Sequence, residues 1–224
     1  MPTISSATLI TLLTTIERHW ASAETALGRA IVLKSGTGRV KLAEMHTDVA
    51  AIAASQVAPE NARQAAAKNR DTTRLAVRTV NSRFAASVRG LLPDTEFIAQ
   101  LPTLPTSNAL GEKQLRAARD LQSIWTSINA LPGDRFPSVT PPLIILVKEN
   151  DLTARVALAD YTARITAYAT AQNALRQLDE TLAALNIRRD DAIKKIRKVL
   201  TEYRAAIRAL FPEDSEQVLT LPKL

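Results

Sequence analysis

The chain has 224 residues, of which 46% are apolar, so it can form one large packed domain or two of ordinary size. It contains no cysteine, which excludes a disulfide framework and a cysteine metal site and leaves the compartment undecided, with the cytoplasm as the default. The formal charge is +7, and no signal peptide or run of ~18–20 apolar residues indicates export or a membrane span.

The first predicted element is an amphipathic helix over about residues 5–33, where apolar residues recur every three or four positions. A hairpin turn follows at 34–39, with two glycines that permit unusual backbone angles. A long helix then carries a ladder of seam positions every seven residues from Leu42 to Phe84, with more polar residues in its middle. Pro59 interrupts this ladder, and we expect a kink or a new helix start there.

The next predicted element is a second short helix over about residues 108–131, with Asn108 as its N-cap. A proline-rich connection over 132–150 follows, and its length favours a functional loop. It contains an apolar run that either covers an exposed seam of the bundle or docks another chain by strand addition or groove filling. The prolines are Pro132, Pro137, Pro141 and Pro142, and the run is Leu143, Ile144, Ile145, Leu146 and Val147.

The last predicted element is a long helix over about 151–211, either continuous or broken near Asn186. About 60 helical residues would span roughly 90 Å. Its ladder includes all three tyrosines, which we expect in the core: the positions are Tyr161, Tyr168, Leu175, Leu182, Arg189, Ile196, Tyr203 and Leu210.

The second half of the sequence repeats the first, which predicts a tandem duplication. Trp20 and Trp125 occupy matching helical positions, and Leu-Pro-Thr-Leu at 101–104 returns at 221–224. The upstream match of Val40 with Val156 requires a three-residue gap, which a bundle can absorb as one helical turn. Seven residues recur 119 positions later: Arg70, Asp71, Arg78, Val80, Arg89, Leu91 and Pro93 become Arg189, Asp190, Arg197, Val199, Arg208, Leu210 and Pro212.

The predicted fold is therefore all-α: an elongated antiparallel helical bundle of two tandem repeats with coiled-coil-like packing. Each repeat consists of a short helix, a turn and a long helix, and the boundaries are 1–105 and 106–224. If the long helices break near Pro59 and Asn186, the alternative is two shorter three-helix bundles.

The positive charge is concentrated at the ends of the two long helices. Residues 66–91 carry a net charge of +5, and residues 187–211 also carry +5. Asp71 and Asp190 are the expected structural partners of two arginine rows, although such rows could also register another molecule or bind phosphates. The rows are Arg70, Arg78 and Arg89 in the first repeat and Arg189, Arg197 and Arg208 in the second.

No pattern of reactive residues indicates catalysis. His19 and His46 each follow a glutamate by two residues, a spacing that places the two side chains on different helix faces and does not suit a metal site. The glycines at 36 and 38 lack the strand and the Gly-Lys-Ser/Thr ending of a phosphate loop. We therefore expect no enzyme activity, cofactor, metal or small-molecule substrate, and we expect surface or boundary histidines.

The ending of the second repeat, Arg-Asp followed by Ala-Ile-Arg-Ala-Leu-Phe-Pro-Glu-Asp-Ser and Leu-Pro-Lys-Leu, resembles uncharacterised bacterial proteins built of tandem alanine-rich helical repeats. The resemblance implies a helical scaffold, brings no catalytic or binding residue, and suggests that the chain is a domain of a longer protein. The function we expect is structural: the chain either self-associates, into a filament or another homo-oligomer, or scaffolds a partner. The alternative is an anion-binding module that uses the arginine rows.

Overall fold

The computed structural model describes residues 6–93, 95–132, 139–149 and 152–222. These residues form mostly helix with one small two-stranded antiparallel sheet, which confirms the expectation of a helical fold. The elements are α1 (Ser6–Leu27), α2 (Arg39–Leu91), α3 (Glu96–Gln100), α4 (Gly111–Asn129), β1 (Ile145–Glu149), β2 (Leu152–Val156), α5 (Leu158–Leu210) and α6 (Glu216–Leu219).

The chain divides into two compact units, and neither is a continuous stretch of one predicted repeat. The first unit comprises Met1–Asn61 with Glu180–Leu224, and the second comprises Ala62–Asp179. Both long helices therefore contribute one part to each unit. The repeat boundary expected at 105/106 falls within the second unit, and the boundaries 1–105 and 106–224 remain a prediction.

The core of the first unit is built around one face of α1. Leu9, Leu13, Ile16 and Trp20 follow the helical spacing of three or four residues, so they share that face and are buried together. The first part of α2 and the last part of α5 supply most of the other core residues. These are Leu42, Val49, Ile193, Ile196, Val199, Leu200, Tyr203 and Ile207.

The core of the second unit is built around α4, whose buried face includes Leu121, Trp125 and Ile128. The last part of α2, the first part of α5 and the small sheet pack on this face. Their core residues are Val77, Val80, Phe84, Val88, Ile145, Val147, Val156, Tyr161, Ile165 and Tyr168. The prediction that all three tyrosines are buried is confirmed.

Both short helices are shorter than the sequence pattern predicted. Helix α1 ends at Leu27 because Gly28 adopts a left-handed conformation (φ 66°), which stops a helix. Ile31 and Leu33 are nevertheless buried, from an extended segment and not from the helix. The N-cap prediction for Asn108 was wrong: α4 begins at Gly111, and its N-cap residue makes no side-chain capping bond.

The long helices are continuous. Helix α2 passes through Pro59 without a new start, and α5 passes through Asn186, so the expected restart and the alternative break were wrong. Each helix contains 53 residues. The loss of one backbone hydrogen bond at Pro59 therefore does not end the helix.

The predicted three-residue gap between the repeats is not needed, because α2 and α5 match at a constant offset of 119 residues from end to end. Leu42 and Tyr161 are both fully buried near their starts, and the terminal Leu91 and Leu210 are 38% and 37% exposed. The apparent match of Val40 with Val156 is misleading, since Val40 lies in a helix and is exposed, while Val156 lies in β2 and is buried.

The sequence analysis placed residues 152–156 in the last long helix, but they form β2. Strand β1 pairs with β2 in an antiparallel register that runs from Ile145 opposite Val156 to Glu149 opposite Leu152. The helix predicted for these residues was therefore wrong. A strand this short alternates buried and exposed residues over too few positions for the alternation to be recognised in the sequence. Pro137, the rest of 133–138, residues 150–151 and the end of the second Leu-Pro motif at 223–224 lie outside the described residues.

Candidate functional site

The arginine rows divide into paired and unpaired members. Arg70 donates to Asp71 Oδ1 from Nε (3.1 Å) and Nη2 (2.8 Å), and Arg189 contacts Asp190 Oδ1 in the same way at 3.1 and 3.0 Å. These are the structural partners that the sequence predicted. Each of these arginines is therefore already engaged with a neighbouring carboxylate.

The other row members are available. Arg78 and Arg197 are half-buried, and Arg89 and Arg208 are exposed. Within the described ranges, the guanidinium groups of these four make no hydrogen bond or ion pair. Arg78 and Arg197 occupy equivalent positions at the offset of 119, so the two long helices each present one partly buried, unpaired guanidinium beside an apolar core.

The apolar run at 143–147 lies mostly in the core of the second unit. Ile145 and Val147 are buried because alternate residues of a strand point to the same face, and Leu143, just before β1, is buried as well. Ile144 is half-buried and Leu146 is 57% exposed. Three of the five candidate residues thus cover the core of their own unit, and a docking surface here would rest on Ile144 and Leu146.

Trp20 and Trp125 each stack on an aromatic residue from the other predicted repeat. Trp20 lies parallel to Tyr203, with ring centroids 4.3 Å apart, and Trp125 lies parallel to Phe84 at 4.8 Å. Phe84 and Tyr203 are equivalent positions at the offset of 119. Each unit therefore places the short helix of one predicted repeat against the long-helix end of the other.

Both indole groups also hold the segment that follows their short helix. Trp20 Nε1 donates to Glu24 Oε1 (3.1 Å), which also accepts from the backbone N–H of Ile31 (3.1 Å). Trp125 Nε1 donates to the carbonyl oxygen of Leu143 (3.1 Å). Each tryptophan thus has a stacked ring in the core; Trp125 bonds the connecting segment directly, whereas Trp20 reaches it through Glu24.

The first unit contains a polar network centred on His19. Its Nδ1 lies 2.7 Å from the hydroxyl oxygen of Tyr203, and its Nε2 lies 2.8 Å from the carbonyl oxygen of Gln217 in α6. Because a carbonyl only accepts, Nε2 carries the proton and Nδ1 of a neutral ring accepts from Tyr203. Burial raises the pKa of Tyr203 well above its ordinary value near 10, which keeps this donor protonated.

The second unit contains a different polar network, centred on Tyr161. The hydroxyl oxygen lies 2.6 Å from Asn81 Oδ1 and 3.0 Å from the carbonyl oxygen of Ala118, so it joins α5 to α2 and α4. Burial raises the pKa of Tyr161 well above its ordinary value. Asn81 is a buried amide in an apolar core, and this contact satisfies its carbonyl oxygen.

The two histidines make separate side-chain contacts. His46 Nδ1 lies 2.8 Å from Glu17 Oε1, and His19 serves the network above; both are half-buried. In the part of the chain that the structure describes, no group of three or more metal-ligating side chains occurs. A cavity of about 580 Å³ in the first unit is lined by apolar side chains, including Met45, Ile52 and Ile196, and by charged side chains of both signs.

Comparisons with protein-family models, curated proteins and solved structures give no match for this chain. Among the described residues, no helix has the length and apolar character that crossing a membrane requires. The candidate functional features are therefore those of the chain itself. They are the four arginines without an ion-pair partner, two in each row, and the two reciprocal aromatic contacts.

Sequence reasoning found the residues of the reciprocal contacts but not the contacts. Trp20, Trp125, Phe84 and Tyr203 all belong to the predicted seams. Helical periodicity shows which face of a helix is buried, but not which helix covers it. The available signal was that each half of the sequence has one tryptophan in its short helix and an aromatic residue, Phe84 or Tyr203, at the same ladder position of its long helix.

Proposed function

We propose that this chain is a non-enzymatic assembly module, built as an antiparallel bundle of two helical repeats, whose partner is a further copy of itself. The observation that carries the proposal is the reciprocal stacking of Trp20 on Tyr203 and of Trp125 on Phe84. Each repeat buries its core by contact with the other repeat. Such contacts can also be made between chains, which is a common route to oligomers.

The contacts within the second unit support antiparallel pairing of the long helices. Arg63 pairs with Asp179, and Asn81 contacts Tyr161. From the first contact to the second, the position moves 18 residues forward along α2 and 18 back along α5. An unbroken register of this kind is expected for antiparallel coiled-coil-like packing.

Sedimentation velocity of the purified chain tests self-association. The weight-average mass is expected to rise above that of the 24.4 kDa monomer as the concentration increases from micromolar to near-millimolar. A constant monomer mass over this range would overturn the proposal. The control variants are Lys41→Glu and Lys113→Glu, which change the charge at exposed positions and should leave the fold intact. Variants of Trp20 are not used as controls, because the loss of a core residue should disturb the fold.

The unpaired arginines favour a second candidate function, the binding of a polyanion such as nucleic acid. The guanidinium groups of Arg78 and Arg197 have no partner among the described residues, and Arg89 and Arg208 extend the rows. A polyanion bound through them should lose affinity log-linearly with salt, because counterions are released on binding. The double variant Arg78→Glu/Arg197→Glu is expected to abolish binding with helicity unchanged.

The matched control for this experiment is Lys41→Glu/Lys113→Glu, which changes the net charge by the same amount at exposed positions outside the rows. If both double variants lose affinity equally, the binding reflects net charge and not the rows. If binding survives the arginine changes, the rows have only a structural role.

A further inference from the structure

We infer that the partner recognised by each repeat is specifically the complementary repeat of a second copy, so that copies assemble by exchanging repeats. This inference rests on the proposed function and names its surface. The exchange keeps the contacts among α1, α2, α4 and α5 within a unit and changes only which chain supplies the second repeat. Contacts of the connecting segment, such as that of Gln114 Nε2 with the carbonyl oxygen of Thr106 (2.7 Å), must form again in the new course. The ten residues 101–110, which connect α3 to α4, are the segment that must change course.

The first source of specificity is the His19 network. His19 Nδ1 is satisfied by the hydroxyl of Tyr203, which belongs to the second repeat. If a first repeat paired with another first repeat, Phe84 would take the place of Tyr203 and offer no hydroxyl. The imidazole nitrogen would then lose its partner in a partly buried position, which disfavours like pairing.

The second source of specificity is the Tyr161 network. Asn81 is buried in the first repeat and contacts Tyr161 in the second. In a pair of first repeats, the equivalent of Tyr161 is Leu42, so the Asn81 amide would face an aliphatic side chain. In a pair of second repeats, Leu200 would replace Asn81 as the neighbour of Tyr161, and Tyr203 would lose its histidine, since Ile124 replaces His19.

Each network therefore rewards the pairing of unlike repeats and penalises the pairing of like ones. A buried polar residue that fixes the choice of partner at some expense of stability is an established device in helical assemblies. Here two such residues lie in two different units. Unlike pairing within one chain gives a monomer, and unlike pairing between chains gives closed or open-ended assemblies according to concentration.

The absence of cysteine in the natural sequence allows a direct test with full-length chains. One variant carries Arg63→Cys and the other Asp179→Cys, which replace an exposed ion pair of small energetic value. The two are mixed, unfolded in denaturant, refolded together at high concentration and treated with a short bismaleimide. Exchange predicts a covalent dimer linked between positions 63 and 179, in a yield that rises with concentration.

The matched control is Glu60→Cys, because residue 60 is the equivalent of Asp179 at the offset of 119. Mixing Glu60→Cys with Arg63→Cys reports the pairing of two first repeats, and we expect several-fold less dimer. Equal yields in the two mixtures would overturn the specificity. Absence of the 63–179 dimer would overturn the exchange, whereas assembly seen by sedimentation would still support the proposed function through another surface.

A gain-of-pairing variant tests the polar networks themselves. His19→Ile and Asn81→Leu give the first repeat the residues that the second repeat has at those positions, Ile124 and Leu200. Chains with both changes should form the 60–63 dimer in a several-fold higher yield, with circular dichroism used to verify their helicity. An unchanged yield in a folded variant contradicts the assignment of specificity to these two residues.

Discussion

Trp20 stacks on Tyr203 across 183 positions of sequence, with ring centroids 4.3 Å apart and ring planes inclined by 16°. The contact joins α1 to the last part of α5 in the first unit, as Trp125 and Phe84 join α4 to the last part of α2 in the second. Both pairs are buried, and each joins elements of different predicted repeats. The stability of each unit should therefore depend on both repeats.

Removing either tryptophan should destabilise the protein to a similar degree. Trp20→Ala and Trp125→Ala each leave a large cavity in a core, and we expect each to lower the free energy of unfolding by about 3–5 kcal/mol. Urea unfolding followed by circular dichroism measures both values. A loss near zero for one of them would show that its unit does not rely on the stacked pair.

The two units should unfold together, because α2 and α5 are continuous helices that contribute to both. The variants Trp20→Phe and Trp125→Phe each leave one tryptophan, so its fluorescence reports on one unit. In each variant we expect the fluorescence transition to coincide with that of circular dichroism. Separate midpoints within one variant would mean that the units melt independently.

The hydroxyl of Tyr203 should contribute to the free energy of unfolding separately from the stacking of its ring. Tyr203→Phe retains the stacking on Trp20 but leaves His19 Nδ1 without its partner, and the expected destabilisation is about 1–2 kcal/mol. The matched change Phe84→Tyr places a hydroxyl near Ile124, where no histidine lies, and should also destabilise. If Tyr203→Phe is neutral in urea unfolding, the His19 network does not stabilise the fold.

Stability should fall at alkaline pH. Burial raises the pKa of Tyr161, Tyr168 and Tyr203, the only tyrosines, so the folded state retains protons that the unfolded state loses near pH 10. The contribution is complete below about pH 10 and is lost as the pH rises further. Phenolate absorbance should appear together with unfolding. Ionisation of the tyrosines near pH 10 in a protein that retains its helicity would contradict this prediction.

Replacing Pro59 should stabilise the protein. Proline cannot donate to the carbonyl of Ser55, although α2 is continuous there. Pro59→Ala restores this bond and should raise the free energy of unfolding by about 1–3 kcal/mol. Ala58→Gly, at a neighbouring exposed position, is the control and should lower it by about 1 kcal/mol. A loss of stability with Pro59→Ala would show that the proline is required for packing.

Much of the helical content could be predicted, because apolar spacing in α1, α4 and the two long helices reflects the burial of one face. The exact ends could not, since Gly28 ends α1 through its own backbone conformation and β2 is too short to show alternation. The Arg70–Asp71 and Arg189–Asp190 pairs were predictable as sequence neighbours. The Tyr203–His19 and Tyr161–Asn81 contacts were not, because tertiary packing alone brings these residues together.

The most direct test of reciprocal repeat pairing uses the contact between the hairpin turn at 34–39 and α5. The backbone N–H of Ser35 donates to Glu202 Oε2 (3.1 Å), and residue 83 is the equivalent of Glu202 in the first repeat. Mass spectrometry of dilute full-length chains treated with a short bismaleimide should find an intramolecular link in Ser35→Cys/Glu202→Cys and none in Ser35→Cys/Arg83→Cys. A link between positions 35 and 83, with none between 35 and 202, would contradict the pairing.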